Sequence, residues 1–511
     1  MPGLSTHASR GVSLLLGQSI ISGIFRIANV IILAHLLLQA EMGQIALLAV
    51  IYGFTQFLAA LGLNHAAPLI VPEEEKNGHY RRLSGFLTRS LLLITIASIT
   101  IMLLLSLLLP SIQNTGMLSD EMLNVIIFII PFSAMEVFLD SFLLARFRVI
   151  KLAIGRIAFE STRILSTVIL VIIGLGVVGV AYGWLAAEVI AVFFFYAAAK
   201  SDLPRQKSPI DMKPILVFAI PSLLFQTVDV TIQNTDRIIL LILTNLESLG
   251  VYDVIVGLLF VMIFFSLALA TSIYPILTRI RLKTAGDGDF RNEISWTVSI
   301  LVRYILILLI PFSIIISMNS NLVLTSLFGI SYSTYPYANI SLSVLVLAYS
   351  VWGLTYALHT VLRSIGETKF FVVIGISVIL FEIVGCWYLT SLFGLLGTSL
   401  IRSTYIVLLF LFSWIRLRHK GIRWMRSTAH SFFRITLAAL SVSALVLFMA
   451  PQNVIDMILS FSIAGLLYIL LLFVIKEINE FDFRMAKAVL PTFMHGFINR
   501  IQSIYKNWYP H

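Results

Sequence analysis

Long apolar runs, each able to cross a bilayer, follow one another along almost the whole chain, with short polar turns between them. At about 20 residues per crossing, fourteen runs fall near 11–38, 43–70, 86–110, 122–145, 154–175, 178–199, 214–244, 249–278, 294–318, 337–361, 370–391, 394–415, 433–450 and 454–475. The spacing predicts an all-α polytopic membrane protein. The first run carries Arg26 and Asn29, is too long for the apolar part of a signal peptide, and leads straight into the next run.

Polar residues inside these runs are patterned. In the seventh, Gln226, Asp229, Gln233, Asp236 and Arg237 fall within an arc of roughly 100° on one helix face. Arg26 shares a stripe with Gln18, Ser22 and Asn29, and Arg303 ends a third stripe of Asn292, Ser295 and Ser299. A charge at bilayer depth costs roughly 2.5–3.5 kcal/mol on insertion scales, so such faces turn to a bundle interior or a wet cavity. A core of ion pairs explains one stripe; three favour a hydrated cavity. Arg163 follows Glu160 by one turn and reads as a local pair. Glu188 and Glu382 have no basic residue one turn away and are candidate H⁺ or Na⁺ coupling sites, with burial in protonated form or pairing with an arginine on another span as the equal alternative.

The turns alternate in charge. Thirty of the 35 lysines and arginines fall in every second one, and the intervening turns carry only acids such as Glu41, Asp120, Glu121, Glu247 and Asp456. The positive-inside rule then puts both termini in the cytoplasm. Composition agrees with a membrane protein: 59% hydrophobic, 12% charged, mean hydropathy +0.98. The net charge of +10 belongs to cytoplasmic turns beside anionic lipid, so no nucleic-acid partner is implied.

A repeat is visible. Asn29–Gly43 aligns without a gap on Asp236–Gly250, and Gly176 and Gly179 are echoed by Gly394 and Gly397. Runs one to six and seven to twelve thus read as two parallel six-helix bundles around a central cavity, with two extra C-terminal helices. The corresponding domains are 1–200, 201–418, a basic linker with the last two helices at 419–475, and an amphipathic cytoplasmic tail at 476–511. Gly174-Leu-Gly-Val-Val-Gly179 matches a dinucleotide-binding spacing, but no strand precedes it, so a tight turn is expected. No phosphate-binding loop or metal-ligand spacing appears, and no cofactor or metal is expected.

Several stretches carry a family likeness: Asp236-Arg237, Leu249-Gly-Val-Tyr252, Tyr274-Pro275-Ile-Leu-Thr-Arg279, Leu362-Arg-Ser-Ile-Gly-Glu-Thr-Lys369 and Phe393-Gly-Leu-Leu-Gly-Thr398. Over essentially its whole length the chain resembles a polysaccharide or oligosaccharide-lipid flippase of the multidrug/oligosaccharidyl-lipid/polysaccharide (MOP) exporter superfamily. His35 departs from the pattern, standing where many relatives have an arginine. The resemblance implies a V-shaped pair of bundles, a cavity lined mainly by spans 1, 2, 7 and 8, and a polyprenyl phosphate- or pyrophosphate-linked oligosaccharide as substrate. The expected activity is flipping or export across the cell membrane by alternating access, not enzymatic catalysis. Expected binding residues are Arg26, Asn29, Gln226, Asp229, Gln233, Asp236, Arg237 and Arg303, the arginines taking the diphosphate and Asp229 or Asp236 pairing with them when the site is empty. A cation-coupled drug extruder of the same superfamily is the alternative. A membrane glycan polymerase or ligase is less supported, because the longest outer turn, about 319–336, has no charged residue.

Overall fold

The computed structural model describes residues 2–113, 116–283, 289–424, 426–479, 482–483, 496, 499–500 and 502–503, and every regular element among them is helical. In chain order these are α1 (Pro2–Leu36), α2 (Gln39–Ala59), α3 (Leu63–Lys76), α4 (Tyr80–Gln113), α5 (Asp120–Ala145), α6 (Val149–Leu170), α7 (Gly176–Lys200), α8 (Lys213–Leu243) and α9 (Leu246–Lys283). There follow α10 (Asp289–Met318), α11 (Ser320–Phe328), α12 (Ile330–Ser333), α13 (Ala338–Ser364), α14 (Thr368–Phe393), α15 (Leu395–His419), α16 (Arg426–Met449) and α17 (Val454–Val474). Most of the tail from Arg484 onward lies outside the described residues.

Helix is what this composition demands. In hydrocarbon no water is present to satisfy an open N–H or C=O, so each crossing segment must bond its backbone internally. Thirteen stretches among the described residues are long and apolar enough to cross, and one of them, Val149–Lys200, holds both α6 and α7 in 52 residues. With those two counted separately the crossings number fourteen, and the protein is a multi-pass membrane protein. Large apolar side chains such as Leu107, Ile172 and Phe193 stay exposed, as lipid-facing surface should.

Two segments differ from the sequence pattern. The second run is broken where Leu61 (φ 53°) and Gly62 (φ 70°) turn left-handed, so α3 departs as a separate helix. The long uncharged turn at about 319–336 is ordered as α11 and α12. Between α6 and α7 the chain passes through a short π-helical segment, Val171–Leu175, and kinks at Gly174 and Gly176 (φ 101° and 52°), while Gly179 already lies in the first turn of α7.

Compactness groups the chain into two units. The first comprises Met1–Phe264, Thr334–Ala338 and Ile376–Arg402. Its core is built around Phe86, Phe138 and Phe142, all fully buried, with ring centroids 5.9–6.3 Å apart. There α7 packs on α5 and α6, and α6 on α1. A closer approach joins α2 to α9. A Cβ on Gly43 would lie 1.9 Å from the Leu246 carbonyl oxygen, and one on Gly250 would lie 2.0 Å from that of Gln39. Gly43 with Gly250, and Gln39 with Leu246, are equivalent places in the repeat. The two copies therefore meet reciprocally, backbone on backbone, as small residues allow in membrane helices.

The second unit comprises Phe265–Ser333, Asn339–Gly375 and Ser403–His511, with α10 packed on α16 and α16 on α17. Here the start of the basic linker is docked rather than loose. Lys420 and Arg416 both hydrogen-bond Glu367 in the α13–α14 turn and hold its carboxyl below the usual carboxylate range.

Candidate functional site

Within the first unit, six helices wall a cavity of about 370 Å³ at bilayer depth, within the size range of small-molecule sites. From α1 come Arg26, Asn29, Val30 and Leu33, and from α2 Met42, Ile45, Ala49 and Tyr52. Then α6 supplies Phe159 and Arg163, α7 Trp184 and Glu188, α8 Arg237, and α9 Asp253, Val256, Gly257 and Phe260. Three guanidinium groups thus face one space against two carboxylates.

Each arginine is fixed differently. Arg26 donates from Nη2 to Glu160 Oε1 at 3.1 Å, and its guanidinium carbon lies 4.5 Å from the Phe260 ring centroid. Arg237 donates from Nε to Asp253 Oδ1 at 2.8 Å and from Nη1 to the Gln233 carbonyl at 3.0 Å. Arg163 is held by rings, 5.8 Å from Trp184 and 5.9 Å from Phe159, and its nearest acid atom, Glu160 Oε2, is 3.9 Å away. Aromatic faces attract a cation through the ring quadrupole and leave its in-plane N–H edge available to an acceptor.

The acid side of the wall is equally specific. Tyr52 donates its hydroxyl to Glu188 Oε1, receives one from Gln56 Nε2 at 3.2 Å, and meets Trp184 edge-on at 5.7 Å. Glu188 is 1% exposed, and its second oxygen has no partner among the described residues.

The α1 stripe explains how Arg26 is aimed. Gln18 bonds Ser22 at 2.8 Å and accepts from Arg156 at 3.3 Å, while Asn29 accepts from Thr167 at 3.1 Å. Its neutral members thus lie on α6, and Arg26 projects at the rim of that contact.

A family model for polysaccharide biosynthesis proteins matches residues 32–336, more than half of the chain, and covers the cavity residues of α2, α6, α7, α8 and α9. The chain belongs to this family.

Among curated proteins none matches the chain. Solved structures show the fold. A lipid II flippase MurJ in an inward closed conformation superposes with a TM-score of 0.71 at 12% identity, covering 91% of this chain and 99% of that one. A multidrug resistance MATE family transporter of the MOP superfamily, inward-facing, gives 0.65 at 15% identity over 80% and 98%. A MOP superfamily transporter from Pyrococcus furiosus gives 0.58 at 16% over 80% and 95%. This polysaccharide biosynthesis protein therefore has the fold of MOP-superfamily transporters.

The structure separates the polar residues read from the sequence. Arg26, Asn29, Arg237 and Glu188 come together at the cavity. Asp236, adjacent to Arg237, turns the other way: 2% exposed, it accepts from Tyr252 at 2.6 Å and lies 3.6 Å from Arg402. Glu382 is there as well, fully buried and 2.8 Å from Arg402. Gln233 bonds Asp229 at 2.9 Å, both exposed on α8, and Gln226 lies half-buried one turn away. Among the described residues the Arg237 guanidinium therefore pairs with Asp253, not with Asp229 or Asp236.

Arg303, expected on the cavity, lies in the second unit with its guanidinium taken up by the chain after α17. It bonds Glu477 at 2.8 Å and both carboxylate oxygens of Asp482 at 2.8–2.9 Å, with Tyr304 adding a bond to Asp482 at 2.7 Å. Glu160, read as the local partner of Arg163, is bonded to Arg26 across 134 residues of sequence.

Sequence reasoning passed over Arg163, Tyr52, Trp184 and Asp253 as wall residues. A signal was present: Trp184 and Glu188 stand four apart, hence on one helix face, as do Tyr52 and Gln56.

Proposed function

We propose that this protein carries a polyprenyl phosphate- or pyrophosphate-linked oligosaccharide across the cell membrane by alternating access. The observation that supports it most is the convergence of three arginines on one intramembrane cavity, in a chain of the polysaccharide biosynthesis family. A guanidinium stays charged at any physiological pH and presents a fork that matches phosphoryl oxygens two at a time. Arg26 and Arg237 are neutralised by Glu160 and Asp253, which keeps their charge tolerable and gives the substrate partners to displace. Tyr52, Trp184, Phe159 and Phe260 add rings that suit the apolar faces of sugars. Glu188, with its open buried oxygen on the cavity, is the site proposed to couple transport to H⁺ or Na⁺.

The test is glycan export in a flippase-deficient strain. Arg26→Lys and Arg237→Lys should impair export with near-normal expression, and Glu188→Gln should remove its dependence on the ion gradient. Full export by both lysine variants and by both alanine variants overturns the site. Unchanged pH and Na⁺ dependence in Glu188→Gln removes that residue from coupling. The unpaired Glu188 oxygen also favours a second reading, a cation-coupled drug extruder; that reading requires the intact protein to lower drug susceptibility without restoring export.

We also propose that both termini face the cytoplasm, from the alternation of basic turns. Cysteines placed at Asn245 and Ser331 should react with an impermeant thiol reagent from outside, and one at Lys207 should not. The reverse pattern inverts the orientation.

A further inference from the structure

Glu160 is the least explained acid around the cavity. Its side chain is almost buried, it stands behind the wall rather than on it, and its two oxygens face different cations, Oε1 toward Arg26 at 3.1 Å and Oε2 toward Arg163 at 3.9 Å. One carboxylate thus serves two guanidinium groups. It bonds only Arg26; Arg163 makes no side-chain hydrogen bond among the described residues and keeps its position by lying near Trp184 and Phe159.

We propose that Arg163 is the first anchor for the substrate's phosphoryl group, and that Glu160 is a built-in competitor which holds the clamp of Arg163 and Arg26 until that group arrives. The proposal rests on the transport reading above and names which residues make the phosphate seat. An arriving phosphoryl oxygen meets Arg163 from the cavity side with no strong ion pair to break, because Glu160, the nearest acid to it among the described residues, lies beyond hydrogen-bond distance. Arg26 can then turn from Glu160 to a second phosphoryl oxygen, its plane steadied by Phe260. Release runs the other way, as Glu160 reclaims Arg26 and weakens the seat. The hold stays moderate without any change in the number of charges, which a carrier needs in order to let go on the far side.

The two residues therefore have opposite expected signs. Purified full-length protein in detergent is titrated with farnesyl diphosphate, and separately with inorganic pyrophosphate to isolate the phosphoryl group from its lipid. Arg163→Gln should weaken farnesyl diphosphate binding about tenfold or more, the loss of one charge-assisted hydrogen bond or two. Glu160→Gln should tighten it and slow export, because the competitor is gone while its shape remains. The same dependence on Arg163 with inorganic pyrophosphate supports the clamp, and a Lys207→Gln control should bind as the unchanged protein does. Should Arg163→Gln not fold, Arg163→Lys keeps the charge without the fork and should bind more weakly than arginine. Wild-type binding by a folded Arg163 variant, with Arg26→Ala impaired, overturns the anchor and leaves the transport reading intact. Weaker binding by Glu160→Gln overturns the competitor and makes Glu160 a support. If no variant at Arg26, Arg163 or Arg237 alters binding or export, the cavity reading itself fails along with this one.

Discussion

Arg402→Ala is expected to lose most of its folded protein. Arg402 reaches Glu382 at 2.8 Å, Asp236 at 3.6 Å and the Ile232 carbonyl at 3.3 Å, while Glu382 and Asp236 are 0% and 2% exposed. Removing the cation leaves two buried acids with, among the described residues, only the Tyr252 hydroxyl and the Arg237 backbone N–H on Asp236 as compensation. Breaking a buried pair on one side costs about 3–5 kcal/mol, more than its net contribution, because the stranded charge has lost its solvation as well. Thermal unfolding of the detergent-solubilised protein, followed by size exclusion, measures the effect. Glu382→Gln and Asp236→Asn combined with Arg402→Met should recover a good part of the loss, since a neutral trio of similar volume strands no charge. An Arg402→Ala protein as abundant and heat-stable as the parent would show that the network contributes nothing to folding.

Gly250→Leu should be as damaging, and Gly250→Ala measurably so. Even one methyl group would stand 2.0 Å from the Gln39 carbonyl oxygen and 2.7 Å from the Gly43 nitrogen, both main-chain atoms that cannot rotate away. Overpacking a well-filled contact costs about 1–3 kcal/mol where side chains can shift, and here two helices have to part. Gly43→Ala should mirror it, its Cβ falling 1.9 Å from the Leu246 oxygen. Gly53→Ala, with no atom within 4 Å among the described residues, is the control and should be neutral or slightly stabilising. The measurement is again the melting temperature; a Gly250→Ala protein that melts with the control would refute the contact.

How far the chain could be read in advance depended on the range of the interaction. Crossing number was legible because bilayer thickness fixes helix length, so the apolar runs count themselves. Arg26 and Asn29 were legible as inward-facing because each repeats a turn of helix from another polar residue. Asp236 and Arg237 show where periodicity fails. A face about 100° wide is broad enough that adjacent residues meet different neighbours, one a buried ion network and the other the cavity. Arg303 could not be placed at all from its own stripe, since its acceptors lie 174 and 179 residues later, beyond the last crossing. Arg163 was masked by a nearby acid: Glu160 at i−3 looks like a local partner until α1 brings Arg26 closer to it.

The glycine crossing of α2 and α9 has a kinetic consequence. Met42, next to Gly43, lines the cavity, so the crossing borders it directly. Where a passage is closed by side chains, a rotamer flip in picoseconds to nanoseconds can open it by stages. Main chain has no rotamers. Any opening on this flank has to move α2 and α9 as rods, in one step that separates both glycine contacts together, on the microsecond-to-millisecond scale of helix and domain motions. On the transport reading proposed above, leakage through partial opening is thereby suppressed, and a carrier built this way passes between states rather than loosening gradually.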